Sequence, residues 1–549
     1  MTGDSPADSN GGKRRTGRTK AKPCRTCKIR KVKCDERQPV CYRCISTGRA
    51  CGGYGIWERP DPGIVSRNVS DSPPTMACIP VHATPKEIEY FDWFKYRTAI
   101  KIPGAFALPF WKTLIFQASM SEPVVWHALM TLSSVHREVI VDGSLLGRDN
   151  SRFVEGEQFA LQHYNKAIQH LQSHLSSQQK ASKRSALVTC IVFVCAEYFR
   201  GYFQTAQTHL QNGLRVLEEL RGETTCERTS DVVDDWILAA FSRYRLQMEL
   251  FKYTYTHTCS SFHNLEIEMS VTTFQSIEEA WKQLEWMLNS IFELNELVRQ
   301  RNFSHETLED DQSDLIAYQR QLRLDLARWR KAYQTSREHL HNLERSGQTE
   351  RILRIHHAMA SIMVDTCLSP DDESMFDSCT ERFICIIKDG IDMYRFGTQY
   401  LPKVSLMTRR KHLSRSIVDV GWIAPIYYTA LKCRVHRIRL HAVRLFHSVS
   451  HREGIYDSRI CACVAEALVK IEEDGHFDDL DATDDFQLTS PPSVHDLATP
   501  PLPKNFRFEE VEVLLPDGPT ENVAVRYRKG QKWKEICVFV SDYGNAPTR

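Results

Sequence analysis

The chain has 549 residues, 42% hydrophobic and 26% charged, a balance that fits a soluble globular protein with several folded units and excludes a single small core. Its net charge of +2 hides an asymmetry: residues 1–51 carry 14 Lys and Arg against 4 Asp and Glu, a balance of +10, which leaves −8 for the other 498. A polyanion partner is therefore expected for the basic end only. Residues 1–22 contain no apolar signal core, and the longest apolar stretch, 186–199, is interrupted by Thr189 and Glu197 and falls short of the ~20 residues that span a bilayer. The sequence thus predicts neither secretion nor membrane insertion, and the 18 cysteines are expected as thiols or metal ligands rather than disulfides.

A basic tail occupies 1–22, with Lys13, Arg14, Arg15, Arg18, Lys20 and Lys22 clustered in its second half. It reads as a disordered nuclear-import signal or phosphate-contacting arm.

Residues 23–52 follow, and here the cysteines concentrate. Cys24-x2-Cys27-x6-Cys34 is repeated, after six residues, by Cys41-x2-Cys44-x6-Cys51. Each C-x2-C pair brings two thiolates to one metal, with a third a short helix later. Six cysteines cannot fill one tetrahedral zinc, and two separate zincs need eight ligands. The count closes if two cysteines bridge, and symmetry selects Cys24 and Cys41. One zinc is then held by Cys24, Cys27, Cys34 and Cys41, and the other by Cys24, Cys41, Cys44 and Cys51. A segment this short depends on the metal for most of its folding free energy. A disulfide knot or a single zinc with spare thiols explains the spacing less well.

This segment, CRTCKIRKVKCDERQPVCYRCISTGRAC, resembles the zinc binuclear cluster of fungal transcription factors. The shared features are the cysteine spacing, the basic run after Cys27, and Pro39 two residues before Cys41. Residues 28–33 are predicted to be a short helix with Ile29 and Val32 on an inward face. Its cations suit the guanine O6 and N7 acceptors of the major groove. The resemblance implies that this helix reads a CGG triplet with Arg30 and Lys31 at base edges. It puts Lys28, Lys33 and Arg43 on phosphates.

Many relatives pair two clusters through an adjacent coiled coil. Residues 53–84 instead contain Pro60, Pro62, Pro73, Pro74 and Pro80, and proline inside a helix costs about 3 kcal/mol. A linker is predicted, with binding as a monomer or as a dimer formed through the body.

The body, 85–471, reads as mainly α. Leu161, Tyr164, Ile168, Leu171 and Leu175 form one helical stripe; Leu187, Cys190, Ile191, Val194 and Tyr198 form another; Ala206, Leu210, Gly213, Leu214 and Leu217 a third. Further helices are expected over 236–253, 277–297, 322–333 and 421–446. The body resembles the fungal-specific transcription factor domain in EPVVWHALMTLSSVHRE at 122–138 and AEYFRGYFQTAQTHLQNGLRVLEEL at 196–220, among other pieces. That resemblance implies a regulatory domain. No HExxH, GxGxxG, Walker or GxSxG signature argues for an enzyme. His436, His441, His447 and His451 lie among Arg434, Arg437, Arg439 and Arg444, and read as a solvated or interhelical basic face rather than a metal site.

Residues 472–505 open with eight acids and no Lys or Arg over 472–488, interleaved with Phe477, Leu480, Phe486 and Leu488. That is the composition of a flexible activation segment able to dock on a coactivator, or of a solvated loop. Alternating residues on both sides of Pro516-Asp517-Gly518 then predict a β-hairpin within 506–540, with a third short strand near 536–540. The whole points to a nuclear, sequence-specific regulator of RNA polymerase II transcription that binds two Zn²⁺ and double-stranded DNA. The acidic segment favours an activator, and the resemblance implies control of a metabolic or biosynthetic gene cluster. A zinc-module scaffold and a small-molecule-sensing repressor are the alternatives.

Overall fold

The computed structural model describes residues 23–35, 41–47, 49, 51, 83–106, 108–142, 150–177, 179–222, 232–251, 272–303, 309–343, 347–369, 372–399, 417–449, 451–481, 486–492, 500–518 and 522–540. The basic tail, Pro39, the prolines at 60–80 and most of the linker lie outside the described residues. The chain divides into two compact units, Met1–Cys78 and Ile79–Arg549.

The first unit holds two short helices, α1 (Arg25–Ile29) and α2 (Tyr42–Ile45), which touch each other. The expected helix at 28–33 thus starts earlier and ends sooner. Cys24 caps its N-terminus, and Lys31 adopts a left-handed backbone, φ 51°, that stops it.

The second unit is helical, as the periodicity predicts. It opens with α3 (Pro85–Trp93), started by a complete capping box between Thr84 and Glu87 with Pro85 at the first helical position. A π-helical turn, Phe94–Thr98, leads to α4 (Ala99–Lys101), and another, Phe110–Leu114, leads to α5 (Ile115–Ser121). Then come α6 (Pro123–Asp142), α7 (Asn150–Leu175), α8 (Lys180–Arg200), α9 (Phe203–Gly222) and α10 (Val232–Phe251). Helix α6 packs on both α7 and α8, and α8 packs on α9. Helix α8 is enclosed on every side: 183–199 is buried throughout.

The α8 and α9 stripes are buried as expected. The α7 stripe is offset. Leu161 and Leu175 are exposed, and the buried face is instead Phe159, Ala160, His163, Ala167 and Leu171. Small residues explain the rotation. A Cβ on Gly156 would meet the Glu138 side chain, while Ser134 and Thr131 donate to the carbonyls of Gly156 and Ala160. Close helix approach therefore outweighs the larger leucines.

The next layer is α11 (Ile277–Phe303), α12 (Glu309–Leu343), α13 (Gln348–Thr366), a 3₁₀ turn at Glu373–Cys379, and α14 (Thr380–Gln399). Helix α10 touches α8, α9 and α11, so it joins the two helical groups. The junction contains a buried ionic node. Arg243 on α10 donates to both Asp419 oxygens at 2.8 and 2.6 Å and to Glu285 on α11 at 3.1 Å. Trp281 holds the same Glu285 at 2.9 Å and stacks on Phe106.

The helix expected across 421–446 is two helices, α15 (Ile423–Lys432) and α16 (His436–His447). Cys433 turns extended, Arg434 bonds back to the Leu431 carbonyl, and the Arg434 carbonyl accepts from Leu502 N–H. A two-residue hairpin, β1 (Arg452–Glu453) and β2 (Tyr456–Asp457), precedes α17 (Ser458–Glu473) and α18 (Asp478–Asp481). The C-terminal hairpin is a three-stranded antiparallel sheet, β3 (Glu510–Leu514), β4 (Asn522–Lys529) and β5 (Lys532–Phe539). Val523, Val525 and Tyr527 turn inward, and β4 and β5 rest on α17.

The basic residues around α16 form an interhelical face, one of the two forms expected. Arg439 bonds Glu472 at 2.6 Å and Glu473 at 3.3 Å, His436 meets Glu473 at 2.8 Å, and Arg434 meets Glu373 at 2.8 Å. The start of the acidic segment therefore departs from the flexible chain expected from 472. Glu472 and Glu473 complete α17 as buried partners of arginines, Phe477 stacks on His436, and Phe486 lies under Arg437 and Arg444. Among the described residues, no helix is long and apolar enough to cross a membrane.

Candidate metal centre and nucleic-acid interface

Each half of the first unit builds its cysteines in the same way. Cys24 and Cys41 are the N-caps of α1 and α2, and their sulfurs accept from the Cys27 and Cys44 amides, both at 3.3 Å. The amides of Cys24 and Cys41 point in turn at the sulfurs of Cys34, 3.4 Å, and Cys51, 3.5 Å. The sequence repeat is thus a structural repeat. Helix caps usually use oxygen; here a cysteine serves, because a sulfur turned toward its own helix N-terminus also points at the centre of the unit.

Across the two halves, Cys24 Sγ and Cys41 Sγ are 3.6 Å apart, and Cys24–Cys44 and Cys27–Cys41 measure 3.7 and 3.6 Å. Two quartets emerge, Cys24, Cys27, Cys34, Cys41 and Cys24, Cys41, Cys44, Cys51, each with its ligand atoms within 4.8 Å of one another. They share Cys24 and Cys41, the two residues that ligand counting selects as bridges. Four sulfurs around a tetrahedral zinc at about 2.3 Å lie about 3.8 Å apart, so the observed spacings fit that metal. All six cysteines are buried, with Val32 half-buried against them.

As thiols packed on thiols, Cys24, Cys27, Cys41 and Cys44 resist ionisation. Cys24 is pushed well above the usual thiol range, first by its contact with Cys51, and Cys27 and Cys41 first by burial. Burial likewise pushes Cys44 up to about 12. A cation among the sulfurs supplies the charge that ionisation needs.

The cations expected on DNA surround this centre. Lys28, Lys31, Lys33 and Arg43 are exposed. Arg30 is half-buried, and its guanidinium donates to Thr47 Oγ1 at 3.3 Å, which ties the first half to the second. Asp35 adds a contact that the cysteine spacing does not foretell. Its carboxylate accepts from the Tyr42 and Arg43 amides at 2.9 and 3.0 Å, fixing the start of α2. An acid seven residues before a helix start carries no local signature, so spacing alone could not find it.

The other cysteines are scattered. Cys190, Cys195, Cys367, Cys379, Cys433 and Cys461 are buried in the body, and burial pushes Cys190 up to about 12 and Cys433 up to about 11. They pack as small apolar groups.

Comparison with known proteins gives two family matches. Residues 22–59 match the fungal Zn(2)-Cys(6) binuclear cluster domain, and residues 96–378 match the fungal specific transcription factor domain. Among curated relatives, the aspercryptin biosynthesis cluster-specific transcription regulator of Emericella nidulans is 30% identical over 245 residues, 41% of this chain and 38% of that protein. A transcription regulator of Purpureocillium lilacinum is 32% identical over 219 residues, 38% of this chain and 51% of its own length. Arginine metabolism regulation protein II of Saccharomyces cerevisiae is 46% identical over 56 residues, 10% of this chain and 6% of that protein. The match thus spans about half of one of these relatives and less of the other two. No solved structure matches.

Proposed function

Because the chain belongs to the fungal transcription regulators that carry the fungal specific transcription factor domain and a zinc-binding Zn(2)-Cys(6) cluster, we propose that it is a sequence-specific activator holding two zinc ions and reading CGG-type triplets. The observation that carries this reading is the pair of sulfur quartets sharing Cys24 and Cys41, with four exposed cations beside them. Cys27 and Cys34 complete one zinc site, and Cys44 and Cys51 the other. Six thiolates and two Zn²⁺ leave a charge of −2, which the neighbouring lysines and arginines offset.

Arg30 and Lys31 take the base edges, and Lys28, Lys33 and Arg43 the phosphates. The first helix is only five residues long. It reaches few base pairs, so backbone contacts supply much of the affinity and flanking sequence or a second copy of the body extends the site. The protein acts in the nucleus on RNA polymerase II promoters. The names of its relatives support control of a biosynthetic or metabolic gene set. Activation falls to the exposed acids Asp474, Asp478 and Asp479, since Phe477 and Phe486 are buried.

Fluorescence anisotropy on the zinc-loaded full chain tests this, with CGG-containing and scrambled duplexes at physiological salt. A preference of about 10³ or more is expected for the CGG site. Equal affinity for both duplexes overturns the reading.

A further inference from the structure

A second group of metal-binding side chains lies in the helical body, far in sequence from the cysteines. Glu87 on α3, His127 on α6 and His163 on α7 bring one oxygen and one nitrogen from each ring within 4.8 Å of one another. His127 Nδ1 and His163 Nδ1 are 3.0 Å apart, and His163 Nε2 is 3.7 Å from Glu87 Oε1. We propose that Glu87, His127 and His163 bind one borderline divalent transition-metal ion of the zinc class, separate from the cysteine cluster.

The donor set is the first reason. Two imidazoles and one carboxylate are established ligands of zinc, and three protein ligands leave a fourth position for water or a small donor. Distance is the second. Tetrahedral zinc with ligands at about 2.0–2.1 Å separates them by about 3.3 Å, and one ligand atom from each of the three side chains lies within 4.8 Å of the other two. His163 meets its two partners with opposite ring nitrogens, so binding one ion requires that ring to turn one nitrogen toward both.

Outer contacts hold the ligands in place. The other Glu87 oxygen accepts from Thr84 N–H at 2.7 Å and Thr84 Oγ1 at 2.9 Å, so the capping box that starts α3 also aims the carboxylate. Phe159 stacks beside His163 at 4.2 Å, and His170 lies over His127 at 5.6 Å. Glu87 and His163 are buried, and the half-buried His127 leaves an entry path. Lys166, the nearby cation on α7, is exposed and can turn to water. A bound ion would tie α3, the first helix of the body, to α6 and α7. Without an ion the same residues form a histidine–histidine hydrogen bond beside a buried carboxylate.

The test counts metal. The full chain and its His127→Asn/His163→Asn variant are equilibrated at micromolar free zinc, exchanged into metal-free buffer, and assayed for zinc per chain. The native chain should hold one zinc more than the variant, whatever number the cysteines hold, so the result is independent of the two-zinc reading of the cluster. Zinc should also raise the body's thermal midpoint in the native chain alone. Glu87→Gln keeps the capping box, because glutamine serves at that position, and should weaken this zinc about ten-fold or more. Equal zinc content in native and variant chains overturns the proposal. If the double variant does not fold, His127→Asn alone gives the same subtraction, and equality there overturns it too.

Discussion

The two units of this chain reach stability by opposite routes. In the cysteine unit, the buried cluster is six sulfurs with Val32 half-buried against them. The helical unit buries Trp111, Trp281 and many phenylalanines, together with charged groups such as Arg184, Arg243 and Arg439. Ordering a residue costs about 1–2 kcal/mol of backbone entropy, and a segment of some thirty residues has too little apolar surface to offset that. Metal coordination takes over in one unit, and area with paired charges in the other. A chain built this way should lose either unit without losing the other, and that is where the comparison can be broken.

The largest effect is expected at Cys41, shared by both quartets. Structural zinc contributes about 10–16 kcal/mol to the folding of small metal-dependent modules. Cys41→Ser should remove the cluster's zinc and abolish preference for CGG duplexes, while the helical circular dichroism and thermal midpoint of the body stay unchanged. Metal analysis and anisotropy on the full chain read both halves. A Cys41→Ser chain that keeps its zinc and its preference would show that the two halves do not share ligands, and a collapsed body would show that the units are not independent.

The same contrast explains what was legible in the sequence. The cysteine unit is local: its six groups lie within 28 residues at fixed spacing, so ligand counting alone finds the two quartets. Only the helix limits slipped, because Cys24 acting as a cap and Lys31 turning left-handed are backbone events that side-chain periodicity does not report. In the body, helices announced themselves but their faces did not always follow. The α7 stripe was misplaced because Gly156, Ala160 and Ala167 carry little hydrophobic weight yet permit the closest approach. The acidic segment misled for a related reason. Glu472 and Glu473 look solvated until Arg434 and Arg439, over thirty residues upstream, are folded against them. Glu87, His127 and His163 sit on three helices with no shared spacing, which no linear motif captures.

The second prediction concerns the node between the helical groups. Arg243, 3% exposed, pairs with both Asp419 and Glu285, themselves buried and 176 and 42 residues away in sequence. Removing one partner of a buried pair leaves an uncompensated charge, which costs about 3–5 kcal/mol. Arg243→Met keeps much of the volume but not the charge, and should lower the body's unfolding free energy by that amount in urea. Zinc content should stay at the native value. A loss below about 1 kcal/mol would mean that water reaches Asp419 and that the node is not part of what holds the layers together.

The smallest effect is set by pH, and it too should fall on one unit. No histidine occurs in 23–51, whereas the body buries His136 and His356 and half-buries His357. Burial pushes His136 down to about 3 and the other two down to about 4, from an ordinary value near 6.5. His136 meets Thr98 at 2.9 Å, and His356 lies edge-on to Trp281. Because the folded rings take up a proton less readily than the unfolded ones, the unfolded chain binds more protons between pH 6.5 and 4. Stability therefore rises with pH across that window; this contribution is complete above pH 6.5 and is lost as the pH falls toward 4. Each ring should remove about 1 kcal/mol between pH 7 and 5.5. Urea unfolding of the body at the two pH values reads these rings together with His127, His163 and His209, which burial also pushes down to about 4, and His356→Gln should flatten the slope by one ring's share. A body equally stable at pH 7 and 5.5 would mean that these rings already take up protons in the fold, and that its interior is more open to water than the burial of His136 on α6 and His356 on α13 implies.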